Sequence, residues 1–285
     1  MKRSPGYRWL VILLILVACL TGFFLRQRQL QTELLSDGSL APGSRLHGWL
    51  LAVSLLAAVA MALLLYPLKR QQSWRSVFLP HPALSFFQLP AAVGLVVGNV
   101  LILLQGRRPT TALAANSPGM SLFLANLVGP LGLLCALCLF LFAMFCLYRK
   151  RPSPLLAIAC SLYLAARLIV SFQEWNTDPC IHDYCYQLLA AICCMLAIFQ
   201  LGGFSFDRGK RRITLFWMLM AMLFCSITVA DSYYKGSPDE ILINLSFLLS
   251  MAGGVLQLLF CSEEDEAVEE ETTKAEEQFG ENNLS

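Results

Sequence analysis

The stretch that decides the fold is PLLAIACSLYLAARLIVSFQ, residues 154–173, an apolar run interrupted by a single charge at Arg167. A bilayer hydrocarbon core about 30 Å thick needs roughly 20 apolar residues of helix to cross it. This segment therefore predicts a transmembrane helix. The rest of the chain has the same character, since 57% of the 285 residues are hydrophobic and 14% are charged. This composition lies outside the range that is typical of soluble globular proteins.

Eight segments of this kind predict an all-α fold, a polytopic integral membrane bundle of about eight transmembrane helices. Residues 1–261 then form one transmembrane domain. The stretch SWRSVFLPHPALSFF at 73–87, which includes the start of the third segment, is also a candidate for a segment lying along the membrane interface. The expected spans are 9–25, 46–68, 83–104, 121–147, 154–173, 184–204, 214–234 and 240–260.

Basic residues divide unequally between the two sides of these spans, with fourteen on one side and six on the other. The positive-inside rule places the richer side, and with it both termini, in the cytoplasm. Short loops and the lack of an N-x-[ST] sequon in the predicted outer loops favour a bacterial cell membrane. The richer side holds the N-terminal segment, residues 69–75, RKR at 149–151, RGKRR at 208–212 and Lys274.

Residues 262–285 form an acidic tail, with ten Asp and Glu side chains against Lys274. A run of like charges with few apolar residues cannot bury enough surface to offset its ordering entropy. The tail is therefore predicted to be disordered and cytoplasmic. It is either a solvated end of the chain or a docking segment for a basic partner.

Most cysteines lie in apolar runs, where cysteine behaves as a small packing residue. Cys180 and Cys185 lie in a loop, and they are either bonded to each other or free thiols. The spacing of Cys180, His182, Asp183 and Cys185 is not an established metal-ligand pattern, so no metal site is expected. Near the N-terminus, Leu16-Val17-Ala18-Cys19 fits a lipoprotein signal, although the apolar run continues past it as in an ordinary first helix.

Arg167 is the unusual residue of the fifth span, because a charge in the outer hydrocarbon layer is costly unless it snorkels, pairs or meets water. Snorkelling starts in an unfavourable direction, since side chains tilt toward the helix N-terminus. Asp231 of the seventh span lies at a similar depth and is the candidate partner. Such a pair is either a structural brace between helices or part of an ion or ligand site.

Further polar side chains gather at the same level of the bundle. Ser171 and Glu174 share the helix face of Arg167, and Asp183 and Gln187 share a face of the sixth span. These acidic groups lie at the outer mouth of the bundle, where they favour binding of a cation or amine. Arg167 lies deeper in the bundle and could instead bind a carboxylate or phosphate. The candidate ligand or charge-pair residues are Arg167, Glu174, Asp183, Gln187 and Asp231.

These features favour a transporter, or a transport-associated component, for a small polar or charged solute. The alternative is a non-transporting membrane sensor or an assembly partner for another membrane protein. No catalytic, cofactor-binding or nucleotide-binding motif is found in the sequence, so an enzymatic function is unsupported and no cofactor is expected. The basic loops are explained by topology, so the bilayer is an expected partner and nucleic acid is not.

Overall fold

The computed structural model describes residues 5–33, 45–68, 74–78, 82–104, 120–175 and 185–260. These residues form eight long helices, and each coincides with one predicted span. The largest difference is in the first helix, which continues to Thr32 although its apolar run ends near residue 25. The helices are α1 (Pro5–Thr32), α2 (Arg45–Leu65), α3 (Gln88–Leu104), α4 (Met120–Leu147), α5 (Pro154–Trp175), α6 (Cys185–Gly202), α7 (Arg211–Lys235) and α8 (Pro238–Leu259).

The outer surface of this bundle is apolar. Large side chains such as Leu56 and Trp49 are 73% and 65% exposed, and similar residues occur along the other peripheral helices. Exposed apolar area of this extent marks a surface that contacts an apolar environment. All eight helices are also long and apolar enough to cross a bilayer. The chain is therefore a multi-pass helical membrane protein.

Helix α7 occupies the centre of the bundle, since 78% of the residues in its most apolar segment are buried. The corresponding fraction in α1 is 22%. Helices α3 to α8 pack in chain order, each against the next, and α8 packs against α3 to close a ring. Helices α1 and α2 lie outside this ring and pack against α7. The polar groups that α7 carries are thus covered by helices on several sides.

The bundle has two ends, which we call terminal and distal. The terminal end holds the start of α1 and the finish of α8, where Trp9 and Phe260 meet edge to face with ring centroids 6.1 Å apart. The distal end holds the finish of α7 and the start of α8, which are joined by the short turn at Gly236 and Ser237. Because the helices alternate in direction, α5 finishes and α6 begins at the distal end.

Close approach between helices depends on glycine at two interfaces. A Cβ atom at Gly98 of α3 would lie 2.7 Å from Ile243 of α8. A Cβ atom at Gly132 of α4 would lie 1.9 Å from the side-chain oxygen of Asn99. Small residues at such positions let membrane helices pack backbone against side chain. The Asn99 amide of α3 is consequently seated directly on the backbone of α4.

The described residues of the stretch at 73–87, a candidate for an interfacial segment, lie at the terminal end of the bundle. Its described residues form a short helix, Trp74–Phe78, and a 3₁₀ helix, Pro82–Phe87, that leads into α3. Trp74 and Phe78 are buried and stacked with ring centroids 3.9 Å apart, and both contact Phe142 of α4. The short helix therefore covers the terminal ends of neighbouring helices.

Several predictions fall on residues outside the described ranges. These are the acidic tail 262–285 and the loop residues Cys180, His182 and Asp183. The predicted cytoplasmic location of the termini likewise stays a prediction, as does the bacterial cell membrane.

Candidate functional site

Asp231 forms its ion pair with Arg26. The Arg26 Nε donates a hydrogen bond to Asp231 Oδ1 over 2.6 Å, and the two residues are 1% and 5% exposed. This corrects the expected contact between Asp231 and Arg167. Asp231 and Arg167 both belong to helices that the structure describes, and no salt bridge joins their side chains there.

The correction has a physical cause in the length of α1. Arg26 follows the last apolar residue of the first span, and sequence reasoning therefore assigned it to a loop. Arginine, glutamine and leucine are good helix formers, so the segment RQRQLQT at 26–32 continues the helix beyond the apolar run. This continuation carries Arg26 along the side of α7, at the level of Asp231.

Other groups complete the surroundings of this pair. Arg26 Nη1 donates a hydrogen bond to the Gln29 side-chain oxygen over 2.8 Å, one helical turn further along α1. The Arg26 guanidinium also lies over the Tyr186 ring, 5.6 Å from its centroid. Opposite charges in contact offset much of the cost of removing each from water. The Arg26–Asp231 pair is therefore a neutral unit that joins α1 to the central helix.

Arg167 points toward the middle of the bundle. Its guanidinium interacts with the Tyr163 hydroxyl, one turn nearer the start of α5. It also lies within electrostatic range of the Cys194 thiol, nine residues into α6 and so about 14 Å from the distal end of that helix. Snorkelling would direct the guanidinium toward the distal end instead. The observed direction follows the tilt of helical side chains toward the helix N-terminus.

Tyr163 connects Arg167 to α3. The Tyr163 hydroxyl donates a hydrogen bond to the Asn99 side-chain oxygen over 3.3 Å, and the Asn99 amide donates to the Leu95 carbonyl over 2.8 Å. Tyr163 and Asn99 are both completely buried. Polar groups without water need such partners, because each unsatisfied group is costly. The chain Asn99, Tyr163, Arg167 thus fixes the guanidinium from two helices.

A small cavity adjoins Arg167 between α5, α6, α7 and α8. Its volume of about 20 Å³ accommodates a water molecule, which needs roughly 10 to 15 Å³ by the same measure. Arg167 is the only formally charged side chain among the described residues that line it. Polar lining also comes from Ser171, Gln187 and Asn244. The apolar and thiol side of the cavity is formed mainly by Leu164, Leu168, Leu188, Cys194, Cys225 and Phe247.

The structure brings together some of the predicted site residues. Arg167 and Gln187 line the same cavity, while Asp231 belongs to the separate pair with Arg26. Glu174 lies in the last turn of α5, and Asp183 lies outside the described residues. Of the five predicted site residues, two thus line the Arg167 cavity and one belongs to the Arg26–Asp231 pair.

A second polar cluster was missed by sequence reasoning. Gln88 donates to the Ser250 carbonyl over 3.0 Å and accepts from the Ser250 hydroxyl over 2.6 Å. Gln257 donates to the Ser85 hydroxyl over 2.6 Å, about two turns further along α8. The available signal was the presence of two glutamines, Gln88 and Gln257, inside apolar spans. Gln88 and Ser250 also line a second cavity of about 30 Å³ nearer the terminal end.

Comparison of this chain with protein-family models, with curated proteins and with solved structures found no match in any of the three.

Proposed function

We propose that this membrane protein binds a small anionic solute at Arg167 and carries it across the bilayer. The single observation that carries the proposal is the position of Arg167. This half-buried guanidinium lies beside a cavity within the bundle and has no ion-pair partner among the described side chains. A charge held at this depth is costly, and intramembrane charges commonly mark ligand or ion pathways.

The Arg26–Asp231 pair supports an anion as the solute. Asp231 was one of the acids that favoured a cation at this mouth, and its charge is compensated by Arg26. Among the described lining residues, Arg167 then gives the cavity a positive charge. A guanidinium presents several donors in a fixed planar arrangement that matches a carboxylate or a phosphate. Small carboxylates and phosphate are therefore the solute class we propose.

Two side-chain amides could orient a solute in the proposed site. Gln187 of α6 and Asn244 of α8 line the cavity from helices other than that of Arg167. Asn244 donates a hydrogen bond to the Ser232 hydroxyl over 3.4 Å, which supports its position. Binding sites of this kind are largely apolar, with a few polar groups that orient the ligand. An anion at Arg167 would thus meet hydrogen-bond donors from three helices.

The size of the cavity implies a conformational change in this proposal. About 20 Å³ holds a water molecule and is too small for a carboxylate solute. The helices around the cavity must separate for the solute to enter. Transporters bind solutes near the middle of the bilayer and open alternately to either side. In this interpretation the structure corresponds to a closed state.

Uptake of radiolabelled phosphate and acetate into liposomes containing the purified protein tests the proposal. Replacing Arg167 by glutamine removes charged hydrogen bonds that contribute about 1.5 to 3 kcal/mol, so uptake should fall by about tenfold or more. The matched control is Arg212→Gln, because Arg212 is also half-buried but lies over Tyr66 at the terminal end. Equal uptake by the Arg167→Gln protein and the parent would contradict the proposal.

The small volume of the cavity also supports a second candidate, a sensor or assembly partner that binds an anion without moving it. This candidate predicts anion binding to the purified protein that depends on Arg167, without uptake into liposomes. It also predicts a membrane protein that co-purifies with the full chain but not with a chain lacking residues 262–285. Uptake above that of empty liposomes would exclude this candidate.

A further inference from the structure

The two cavities lie along the same three helices, about one turn apart. On α5, α6 and α8, residues three or four positions apart line different cavities, which corresponds to roughly 4.5 to 6 Å along each helix axis. On every helix the Arg167 cavity is on the distal side. The bordering residues, for the Arg167 cavity and then the second cavity, are Leu164 and Cys160 on α5, Cys194 and Ile198 on α6, and Phe247 and Ser250 on α8.

An aromatic pair lies at the level where the cavities are separated. The rings of Tyr163 and Phe247 are stacked, with centroids 6.3 Å apart and planes inclined by 18°. Their exposed fractions are 0% and 2%, so neither ring faces the outer surface. Tyr163 lies between Cys160 and Leu164 in α5, and Phe247 lies one turn before Ser250 in α8. Phe247 lines the Arg167 cavity, and the stacked rings lie at the level between the two cavities.

The two members of this pair differ in how they are held. The Tyr163 hydroxyl is hydrogen-bonded to Asn99, whose side chain is seated on Gly132 of the next helix. Phe247 has no polar group, so apolar packing and ring stacking hold it in place. Displacement of Phe247 breaks no hydrogen bond, whereas displacement of Tyr163 breaks at least one. Phe247 is consequently the more easily moved half of the pair.

We infer that the two cavities are successive parts of one solute path through the bundle, and that the Tyr163–Phe247 stack is the partition between them. The inference rests on the proposed transport of an anion and extends it from one binding position to a route. The second cavity offers the Gln88 amide and the Ser250 hydroxyl to the solute after it leaves Arg167. These groups bond to each other in the closed state.

Aromatic side chains also pack at the terminal side of this path. Phe142 of α4 lines the second cavity and contacts the rings of Trp74 and Phe78 in the short helix. The Trp74 backbone amide donates to Asp207 Oδ1 over 3.0 Å, and Asp207 also pairs with Arg151 at 2.6 Å. The short helix thus packs against Phe142, a side chain that lines the second cavity, from the terminal side.

Thiol labelling tests the partition, because each cavity is bordered by a native cysteine. Two full-length proteins are needed, one retaining only Cys160 of the second cavity and one retaining only Cys194 of the Arg167 cavity, with the other cysteines changed to alanine. The proteins are reconstituted in liposomes and treated with sulfonatoethyl methanethiosulfonate, a small anionic thiol reagent. The rate of modification at each cysteine is then measured with and without Phe247→Ala.

Removing the Phe247 ring should raise the modification rate of Cys160 by about tenfold or more, the factor that corresponds to about 1.4 kcal/mol of lost closing free energy. The rate at Cys194 should change less, since Cys194 lies on the distal side of the partition. The matched control is Phe199→Ala, which removes the same group from an outward-facing position of α6 that is 62% exposed. This control should leave the Cys160 rate unchanged.

An unchanged Cys160 rate in the Phe247→Ala protein, with Cys194 still modified as in the parent, would overturn the inference. If Phe247→Ala does not yield a monodisperse protein, Phe247→Leu replaces it and the same comparison decides. Failure of the proposed function is distinguishable. Faster labelling of Cys160 together with undiminished uptake by Arg167→Gln would retain the path and reject the anion site. Loss of uptake in Arg167→Gln, without faster labelling of Cys160 in Phe247→Ala, would retain the anion site and reject the path.

Discussion

Arg26 Nε and Asp231 Oδ1 are 2.6 Å apart in a site where both residues are almost completely buried, and this contact joins α1 to the central helix α7. The two residues are 205 positions apart in the sequence. Because the pair is neutral as a unit, Arg167 is the charge that faces the cavity among the described lining residues. The contact therefore contributes to the stability of the bundle, while Arg167 supplies the charge of the candidate site.

Breaking the Arg26–Asp231 pair from one side should destabilise the protein strongly. Either Arg26→Met or Asp231→Leu takes the opposite charge away from a buried charge, at a cost of about 3 to 5 kcal/mol. The double variant removes both charges and should be close to the parent in stability. Thermal unfolding in detergent measures these differences, with Arg151→Gln as the control. The Arg151–Asp207 pair is half-exposed, so its loss should cost about 0 to 1 kcal/mol.

A double variant no more stable than the single variants would show that the two charges do not compensate each other. The Asp231→Leu variant also tests the anion site, because this substitution leaves the Arg167 cavity intact. Phosphate binding by that variant should persist wherever the protein stays folded.

Gly132 should not tolerate a methyl group. In Gly132→Ala the new Cβ would lie 1.9 Å from the Asn99 side-chain oxygen, so Asn99 must move and its bond to Tyr163 is lost. Overpacking of this kind costs about 1 to 3 kcal/mol. Gly48→Ala is the matched control, because nothing lies within 4 Å of a Cβ there. Alanine should stabilise that helix by up to about 1 kcal/mol. Equal unfolding temperatures for the two variants would contradict the close contact between α3 and α4.

The two buried glutamines should differ in their contributions to stability. Gln88 forms two hydrogen bonds with Ser250, whereas Gln257 donates one to Ser85 and has a buried side-chain oxygen without a described partner. Gln88→Leu should therefore cost about 1 to 3 kcal/mol, because it leaves the Ser250 hydroxyl without its acceptor. Gln257→Leu should cost less, since it also removes an unsatisfied oxygen. Unfolding temperatures in one detergent give the comparison, and the reverse order would refute this account of the cluster.

Tyr163→Phe tests whether the hydroxyl positions Arg167. The change keeps the stack on Phe247 but removes the group that interacts with the guanidinium and with Asn99. Loss of a hydrogen bond of about 0.5 to 1.5 kcal/mol should weaken phosphate binding by about twofold to tenfold. Isothermal titration with phosphate gives the affinity. Tyr148→Phe is the control, because Tyr148 is exposed; a similar loss in both variants would remove the positioning role.

The sequence was sufficient for the class of fold and for the eight helices. Long apolar runs with few charges leave little freedom, because a helix is the structure that satisfies its own backbone in lipid. The ends of the helices were harder to predict where a helix extends beyond its apolar run. The apolar run of α1 ends near residue 25, but its good helix formers continue the helix to Thr32. Arg26 was therefore assigned to a loop, and the partner of Asp231 was missed.

The direction of Arg167 followed from local geometry, since helical side chains tilt toward the N-terminus in any fold. The choice among nearby acids did not follow, because it depends on which helices are neighbours. The closed ring of α3 to α8, with α1 against α7, is a tertiary arrangement that hydropathy does not encode. The pairing of Gln88 with Ser250 across 162 positions has the same origin.

The central claim is that the Arg167 guanidinium binds an anion in its cavity, and bromide-soaked crystals of the full chain test it most directly. We predict an anomalous peak within about 3.5 Å of the Arg167 guanidinium, because bromide is larger than the oxygen acceptors of charged hydrogen bonds, which lie at about 2.7 to 2.9 Å. No such peak is expected in Arg167→Gln crystals soaked in the same way. A cavity without bromide, with the guanidinium paired to a carboxylate such as Glu174 or Asp183, would contradict the claim.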